Sequence, residues 1–326
     1  MINLAVIGTN WISEKFVEAA MQSNQFRLMA VYSRRADKAH RFAKNHQDKN
    51  CNYYNTLEEL ARDKAIDAVY IASPNSLHCA QAILLMEHGK HVICEKPIAS
   101  NISEATRMYN SAEENNVILF EAFKTEFLPN FKELKANLAT IGKLRSVYLS
   151  YCQYSSRYQK YLDGENPNTF NPDYSNGSIM DIGFYCVSAA VSLFGEPDNI
   201  KASAKLLDSG VDAHGSVILE YPTFLVTIQH SKVSNGIVAS EFQGEDGIIL
   251  VKNISECDTF TIQKKAATPQ VITVGQEDNS MLYEAIEFAK EIHEGSMNLA
   301  YVQRSLVVSK VTTEIRRQTS VTFPVD

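Results

Sequence analysis

Four short stretches of this 326-residue chain hold side chains whose types and spacing could do chemistry. The first is Gly8-Thr9-Asn10-Trp11-Ile12-Ser13, directly after the apolar run Ile2–Ile7. A glycine turn between a strand and a helix points backbone N–H groups and the positive helix end at a phosphate, and G-x-G-x-x-G is its dinucleotide form. Asn10 stands here at the second glycine and Ser13 at the third. Asn tolerates the left-handed backbone region, and Ser is small enough for close helix packing. The second stretch, Ser33-Arg34-Arg35, ends the next strand candidate. An NAD site wants Asp or Glu about 20 residues past the glycines. The first acid here is Asp37, already in the following helix. A hydroxyl followed by two guanidiniums suits the 2′-phosphate of NADP, which Arg grips bidentately. The plain alternatives are an ordinary strand–helix turn and a solvated Arg pair.

The third stretch is Glu95-Lys96-Pro97, leaving a buried strand where open α/β sheets bind ligands. Proline restricts the lysine backbone, and the ammonium would lie near a nicotinamide in the crevice; a surface lysine on a turn is the bland reading. The fourth is Asp181-Ile182-Gly183-Phe184-Tyr185. On an α-helix Asp181 and Tyr185 are i and i+4 and share a face. Gly183 between them costs about 1 kcal/mol in a helix interior and therefore wants a reason, such as close approach of a ligand or a chain. A ring-packed Tyr with a satisfied hydroxyl is the alternative in a chain with 15 tyrosines.

The elements that must carry these stretches fall into two rhythms. Strands at Ile2–Ile7, Phe26–Tyr32, Ala68–Ala72, His91–Cys94 and Val117–Ala122 alternate with helices near Ser13–Ser23, Asp37–His46, Leu57–Ala61, Leu77–His88 and Ser103–Asn115. Short Val/Ile-rich runs, each followed by an amphipathic stretch, predict βαβ units and a doubly wound parallel sheet over residues 1–122. Residues 123–326 read as α+β with a large, mostly antiparallel sheet. A strand at Leu144–Tyr154 precedes a polar loop, Asp163–Asn176, and one helix, Ser178–Phe194. Strands follow at Ile200–Leu206, Ser216–Tyr221, Phe224–His230, Ile237–Phe242, Gly247–Val251, Thr259–Lys264 and Gln270–Val274, with turn chemistry at Ser209-Gly210, Asn235-Gly236 and Asp246-Gly247. Helices at Met281–His293 and Ala300–Arg317 close the pattern. The fold class is α/β, a Rossmann-type first domain and an α+β second one.

Composition narrows the function classes. With 45% apolar and 21% charged residues the chain can bury sizeable cores. Its net charge of −7, with no basic cluster longer than two, marks no nucleic-acid or anionic-membrane surface. No uninterrupted apolar run approaches 18 residues, so no membrane span is expected. The N-terminus reads as a strand, not a signal peptide. Six scattered cysteines without a C-x-x-C pair outline no disulfide or metal framework, and a reducing cytoplasm is the expected home.

Taken in order, Ala5-Val6-Ile7-Gly8-Thr9, Ser73-Pro74-Asn75 with His78, Glu95-Lys96-Pro97, Glu121-Ala122-Phe123 and Asp181-Ile182-Gly183-Phe184-Tyr185 resemble the glucose–fructose oxidoreductase / inositol dehydrogenase / rhizopine-catabolism family over essentially the whole chain. Tyr185 stands where inositol-type members carry His, which is similar to the dimeric dihydrodiol (D-xylose) dehydrogenase branch, a branch that prefers NADP. The resemblance implies an N-terminal dinucleotide-binding Rossmann domain and a C-terminal open-faced sheet for substrate binding and dimerisation. It implies hydride transfer between NADP (or NAD) and a carbinol or carbonyl carbon of a sugar, polyol or diol, in a homodimer or higher homo-oligomer. Lys96 would match the family's essential lysine and Tyr185 its proton donor/acceptor, with Asp181 supporting them. Gly8, Thr9, Asn10, Trp11, Ile12, Ser33, Arg34 and Arg35 would hold the dinucleotide. Ser73, Asn75, His78, Glu95 and Lys96 would line the nicotinamide side. Arg157, Tyr158 and Phe170 are candidate substrate contacts, and no metal is needed. Asn10 and Glu126, the latter where many relatives have Arg, depart from the family pattern. A non-catalytic NAD(P)-binding regulator of the same fold would be expected to lose the lysine or the tyrosine, and both are present.

Overall fold

The computed structural model describes residues 1–45 and 51–326. They form two compact units, residues 1–124 with 277–305 and residues 125–276 with 306–326. The first break lies two residues from the division expected at 122/123. The segment 277–305, read from the sequence as part of the second domain, packs with the first unit.

Unit 1 opens with β1 (Ile2–Ile7), α1 (Trp11–Gln22), β2 (Phe26–Tyr32), α2 (Ala36–Asn45), β3 (Asn52–Tyr54), α3 (Leu57–Arg62), β4 (Ala68–Ile71), α4 (His78–Glu87), β5 (His91–Glu95), α5 (Ile102–Glu114) and β6 (Leu119–Ala122). The six strands run in the order β3-β2-β1-β4-β5-β6, all parallel. Strand order reverses between β1 and β4, the switch point where doubly wound sheets hold ligands. The three-residue β3 was not expected, because its residues are exposed or half-buried and no apolar run marks it. His46, the predicted end of α2, lies outside the described residues.

Unit 2 contains α6 (Pro129–Asn137), β7 (Leu144–Cys152), α7 (Tyr158–Leu162), α8 (Phe184–Phe194), β8 (Asn199–Leu206), β9 (Asp212–Glu220), β10 (Leu225–Ser231), β11 (Ser240–Gly244), β12 (Gly247–Val251), β13 (Phe260–Lys264) and β14 (Gln270–Ile272). Its eight strands run β14-β13-β12-β11-β7-β10-β9-β8. Every neighbouring pair is antiparallel except β7 with β10. Alternation buries one face: Val147, Leu149, Val217, Leu219, Val226, Ile228, Ile249 and Ile262 face the core. The apolar stretch Pro172–Phe194 is long enough to cross a bilayer by length and composition, yet 72% of its most apolar window is buried inside the fold. It is a core segment.

Two helices remain, α9 (Leu282–Glu294) and α10 (Leu299–Thr319). Phe288 of α9 packs its ring 6.1 Å from Phe26 and 5.7 Å from Phe120, which ties this helix to the parallel sheet. The same core stacks Phe16 on Tyr70 at 3.9 Å. Strand positions in unit 2 shift from expectation where residue type misleads. The run predicted at Ile237–Phe242 pairs only from Ser240, because Ile237 and Val238 are exposed. β9 begins four residues early, at Asp212, through a polar stretch. All six cysteines are free thiols.

Candidate functional site

In unit 1 the phosphate turn is built around two residues. Gly8 has φ +108°, and a Cβ there would lie 2.9 Å from the Ala72 carbonyl oxygen, so only glycine fits. Asn10 does not use the left-handed region: its φ is −93°. It serves as the N-cap of α1, its Oδ1 accepting from the N–H of Ile12 and of Ser13, both at 3.1 Å. Its Nδ2 donates to the Ala72 carbonyl at 3.3 Å. The departure from glycine therefore has a local reason: one amide side chain caps the helix and ties it to the end of β4. Among the described residues no acceptor takes the N–H of Thr9, Asn10 or Trp11, which fits a pyrophosphate at this helix end. Trp11 is exposed, with the Lys15 ammonium 5.7 Å from its ring centre.

At the end of β2, Ser33 Oγ accepts from the N–H of Arg35. Arg34 is exposed. Arg35 is bound bidentately by Asp37, at 2.8 and 3.2 Å, and this partner raises the guanidinium and lowers the carboxyl from their usual ranges. Of the two arginines, Arg35 is thus already engaged.

The turn carrying Lys96 is fixed from both sides. Its peptide bond to Pro97 is cis. His78, fully buried, lies with Nδ1 3.0 Å from the Pro97 carbonyl and Nε2 2.9 Å from the Ser73 carbonyl. Burial pushes its pKa down. Expected to line the nicotinamide side, His78 instead has no exposed surface and links the loops after β4 and β5. On the other side Ile98 donates its N–H to Glu121 at 3.0 Å. Glu121 is itself buried 3.5 Å from Arg304, whose guanidinium carbon lies 5.2 Å from the Phe123 ring centre and 5.9 Å from that of Tyr301. Burial pushes the Glu121 carboxyl up and Arg304 pulls it down. Glu95 accepts from the Tyr70 hydroxyl at 2.5 Å, and burial raises its pKa. Ser73 donates to Gln81 at 2.7 Å, and Asn75 opens a short 3₁₀ turn before α4.

In unit 2 the segment predicted as one α-helix is a π-turn, Ile179–Gly183, followed by α8. The i, i+4 face argument for Asp181 and Tyr185 does not carry over to this wider winding. Gly183 has a packing reason: a Cβ would lie 3.0 Å from His230 Cγ. The chain, not a ligand, approaches there. Asp212, on β9, accepts the Ile179 N–H at 2.7 Å and anchors the start of the turn. His230, on β10, bonds Ser178 Oγ at 2.8 Å and lies 3.7 Å from Asp212. Burial raises Asp212 to about 6 and lowers His230 to about 3. Asp181 pairs with the ammonium of Lys232, just past β10. Tyr185 is half-buried, its ring 5.7 Å from that of Tyr151.

The loop candidates separate. Phe170 is fully buried, its ring 5.6 Å from Tyr158 and 5.5 Å from Tyr161, so it packs the loop and presents nothing to a ligand. Arg157 is exposed and Tyr158 half-buried. Glu126 lies in the 3₁₀ turn Lys124–Phe127. Sequence reasoning missed Lys232, Asp212 and the Glu121–Arg304 pair as supports. Each acts on a residue far away in the chain; Glu121 falls in a motif, Glu121-Ala122-Phe123, but its partner Arg304 does not, and Lys232 and Asp212 lie in none.

Comparison with known proteins bears on both groups of residues. Residues 2–123 match the Gfo/Idh/MocA model described as an oxidoreductase family with an NAD-binding Rossmann fold, and residues 131–250 match a Gfo/Idh/MocA C-terminal domain. The chain is 53% identical over its full length, and 99% of the relative's, to an uncharacterized oxidoreductase, YgjR, of Escherichia coli K12. It is 46% identical, with the same coverage, to the scyllo-inositol 2-dehydrogenase (NADP(+)) IolU of Bacillus subtilis. In structure it is similar to KijD10, a 3-ketoreductase from Actinomadura kijaniata solved with NADP, at TM-score 0.87 and 21% identity over 98% of both chains. With a Rossmann unit that binds NAD(P) and a C-terminal sheet unit of matching type, the chain belongs to the Gfo/Idh/MocA oxidoreductase family.

Proposed function

We infer that the protein is an NADP-dependent dehydrogenase or reductase acting at a secondary alcohol or its ketone on a cyclic polyol or sugar. The observation that carries this reading is the Lys96 turn: a cation at the carboxyl edge of the parallel sheet, on a loop held by the buried His78 and Glu121. The name of the 46%-identical relative, an NADP-linked inositol dehydrogenase, supports the cofactor and the substrate class.

A bound nicotinamide supplies the hydride donor or acceptor. The protein's own side chains handle the proton. A free phenol titrates at about 10, so Tyr185 works as a base near neutral pH only with a cation favouring the phenolate, and Lys96 is assigned that part. In the reductive direction Tyr185 gives its proton to the oxygen of the carbon being reduced; in the oxidative direction it takes that proton back. Lys96 also donates a hydrogen bond to the same oxygen, and Asp181 accepts from a substrate hydroxyl. Gly8 and the α1 N-terminus hold the pyrophosphate, and Ser33 with Arg34 the 2′-phosphate. A homodimer or higher homo-oligomer, associating through the outer face of the eight-stranded sheet, completes the reading.

Calorimetric titration with NADPH and NADH, followed by a polyol and sugar panel that includes scyllo-inositol, tests it. NADPH binding at least tenfold tighter than NADH, with turnover abolished in Tyr185→Phe and Lys96→Ala, is expected. Tight NADPH binding without turnover of any compound would favour the non-catalytic regulator, and no binding of either cofactor would overturn both.

A further inference from the structure

Lys232 belongs to none of the motifs legible in the sequence, yet it is among the few lysines that the fold buries. It is 6% exposed, one residue past the end of β10. Its backbone is held twice, its N–H donating to the Ala213 carbonyl and its carbonyl accepting from Ser155, both at 2.9 Å. Its ammonium meets the Asp181 carboxylate, whose side chain is 33% exposed. A buried ammonium is costly unless paired, so the fold keeps this one for a partner. The carboxylate is backed by a cation on its buried side and open to water on the other. The same ammonium also pulls down the Asp212 carboxyl, which receives the Ile179 N–H. One lysine therefore serves both the side chain of the π-turn and the group that anchors it.

We propose that Lys232 is a positioning residue that holds the Asp181 carboxylate oriented as a fixed acceptor for a hydroxyl of the polyol or sugar. The proposal rests on the reading of Asp181 as a substrate contact. It predicts a preference for substrates with a hydroxyl beside the reacting carbon, because an anchored anion rewards a second donor that a lone alcohol lacks.

The test compares wild type, Lys232→Met, Lys232→Arg, Asp181→Asn and the Asp181→Asn/Lys232→Met pair, using the best compound of the panel and saturating NADP(H). Lys232→Met should lower kcat/KM at least tenfold while the Kd for NADPH stays within twofold, since the cofactor groups lie in unit 1. Lys232→Arg, keeping the charge, should recover kcat/KM to within about threefold of wild type. The double substitution should match Asp181→Asn alone. Wild-type kinetics in Lys232→Met, or no rescue by Arg, would overturn the proposal while leaving the dehydrogenase reading intact. If Lys232→Met does not fold, the double variant, which buries no unpaired charge, decides: a further tenfold loss below Asp181→Asn overturns it. A wild-type protein that turns over no compound fails the functional reading first, and the proposal with it.

Discussion

Both units hold their candidate site residues with buried ionisable pairs, but with different partners for the acid. In unit 1 the support is Glu121 with Arg304, an acid and a guanidinium that stays charged at any working pH. In unit 2 the start of the π-turn is held by Asp212 beside His230, two groups whose charge depends on pH and whose burial drives both toward neutrality. The Lys96 turn is thus tied to a permanent cation, and the Asp181 turn to a titrating pair. Such a difference shows in stability measurements even without a substrate.

The largest effect is expected from breaking the pair with the permanent cation, Glu121–Arg304. Arg304→Met leaves the buried Glu121 without its cation, and removing one partner of a buried pair costs about 3–5 kcal/mol. Chemical denaturation at pH 7 should show that deficit. It should narrow as pH falls toward 5, because a protonated Glu121 needs no cation. A loss under 1 kcal/mol, or one independent of pH, would mean that Glu121 is neutral in the native protein and that the Lys96 turn is held by hydrogen bonds alone.

A smaller effect separates Asp212 from His230. The folded pKa of Asp212 is raised to about 6, so between its unfolded value and 6 the native state binds more protons and stability falls as pH rises. His230 is lowered to about 3, so between 3 and its unfolded value the unfolded state binds more protons and stability rises with pH. Over pH 4 to 6 the two slopes, each up to about 1.4 kcal/mol per pH unit, oppose each other. Asp212→Asn should therefore lose stability on acidification more steeply than wild type. Equal slopes in melting curves from pH 4 to 7 would show that the two groups are not titrating as their burial dictates.

The same contrast governs what the sequence could disclose. Unit 1's site residues sit on turns one or two residues beyond regular strands, so Gly8, Ser33 and Lys96 are marked by their neighbours in the chain, and the parallel sheet that carries them is written in Val/Ile runs. Even there the reason for Asn10 was hidden: its tie to Ala72 crosses from the end of β1 to the end of β4, and it caps α1 from an extended backbone, not a left-handed one. In unit 2, Asp181 and Tyr185 were legible as residues but not as geometry. The π-turn that presents them is fixed by Asp212, His230 and Lys232, through contacts that span 33, 52 and 51 positions of the chain. Nothing local distinguishes those three from other polar residues near strand ends. His78 and Phe170 show the converse: a motif or a loop position made them candidates, and burial made them supports.

The smallest effect concerns the cofactor side of the comparison, where the charges are exposed. Arg34 and Arg35 are equivalent in the sequence but not in the fold, since Asp37 already holds Arg35 by two hydrogen bonds. A 2′-phosphate recruiting Arg35 must displace that carboxylate, so what it gains from the guanidinium is offset by what the exposed Arg35–Asp37 pair loses. Arg34 has no such competitor among the described residues. Arg34→Ala should weaken NADPH binding about tenfold, some 1.4 kcal/mol, with little change for NADH. Arg35→Ala should change NADPH affinity by no more than about threefold, and Asp37→Ala should tighten it by a similar factor as Arg35 is released. The NADPH/NADH affinity ratio across these three variants reads the competition directly. A tenfold loss in Arg35→Ala with none in Arg34→Ala would reverse the assignment and make the Asp37 pair a resting state that the phosphate opens.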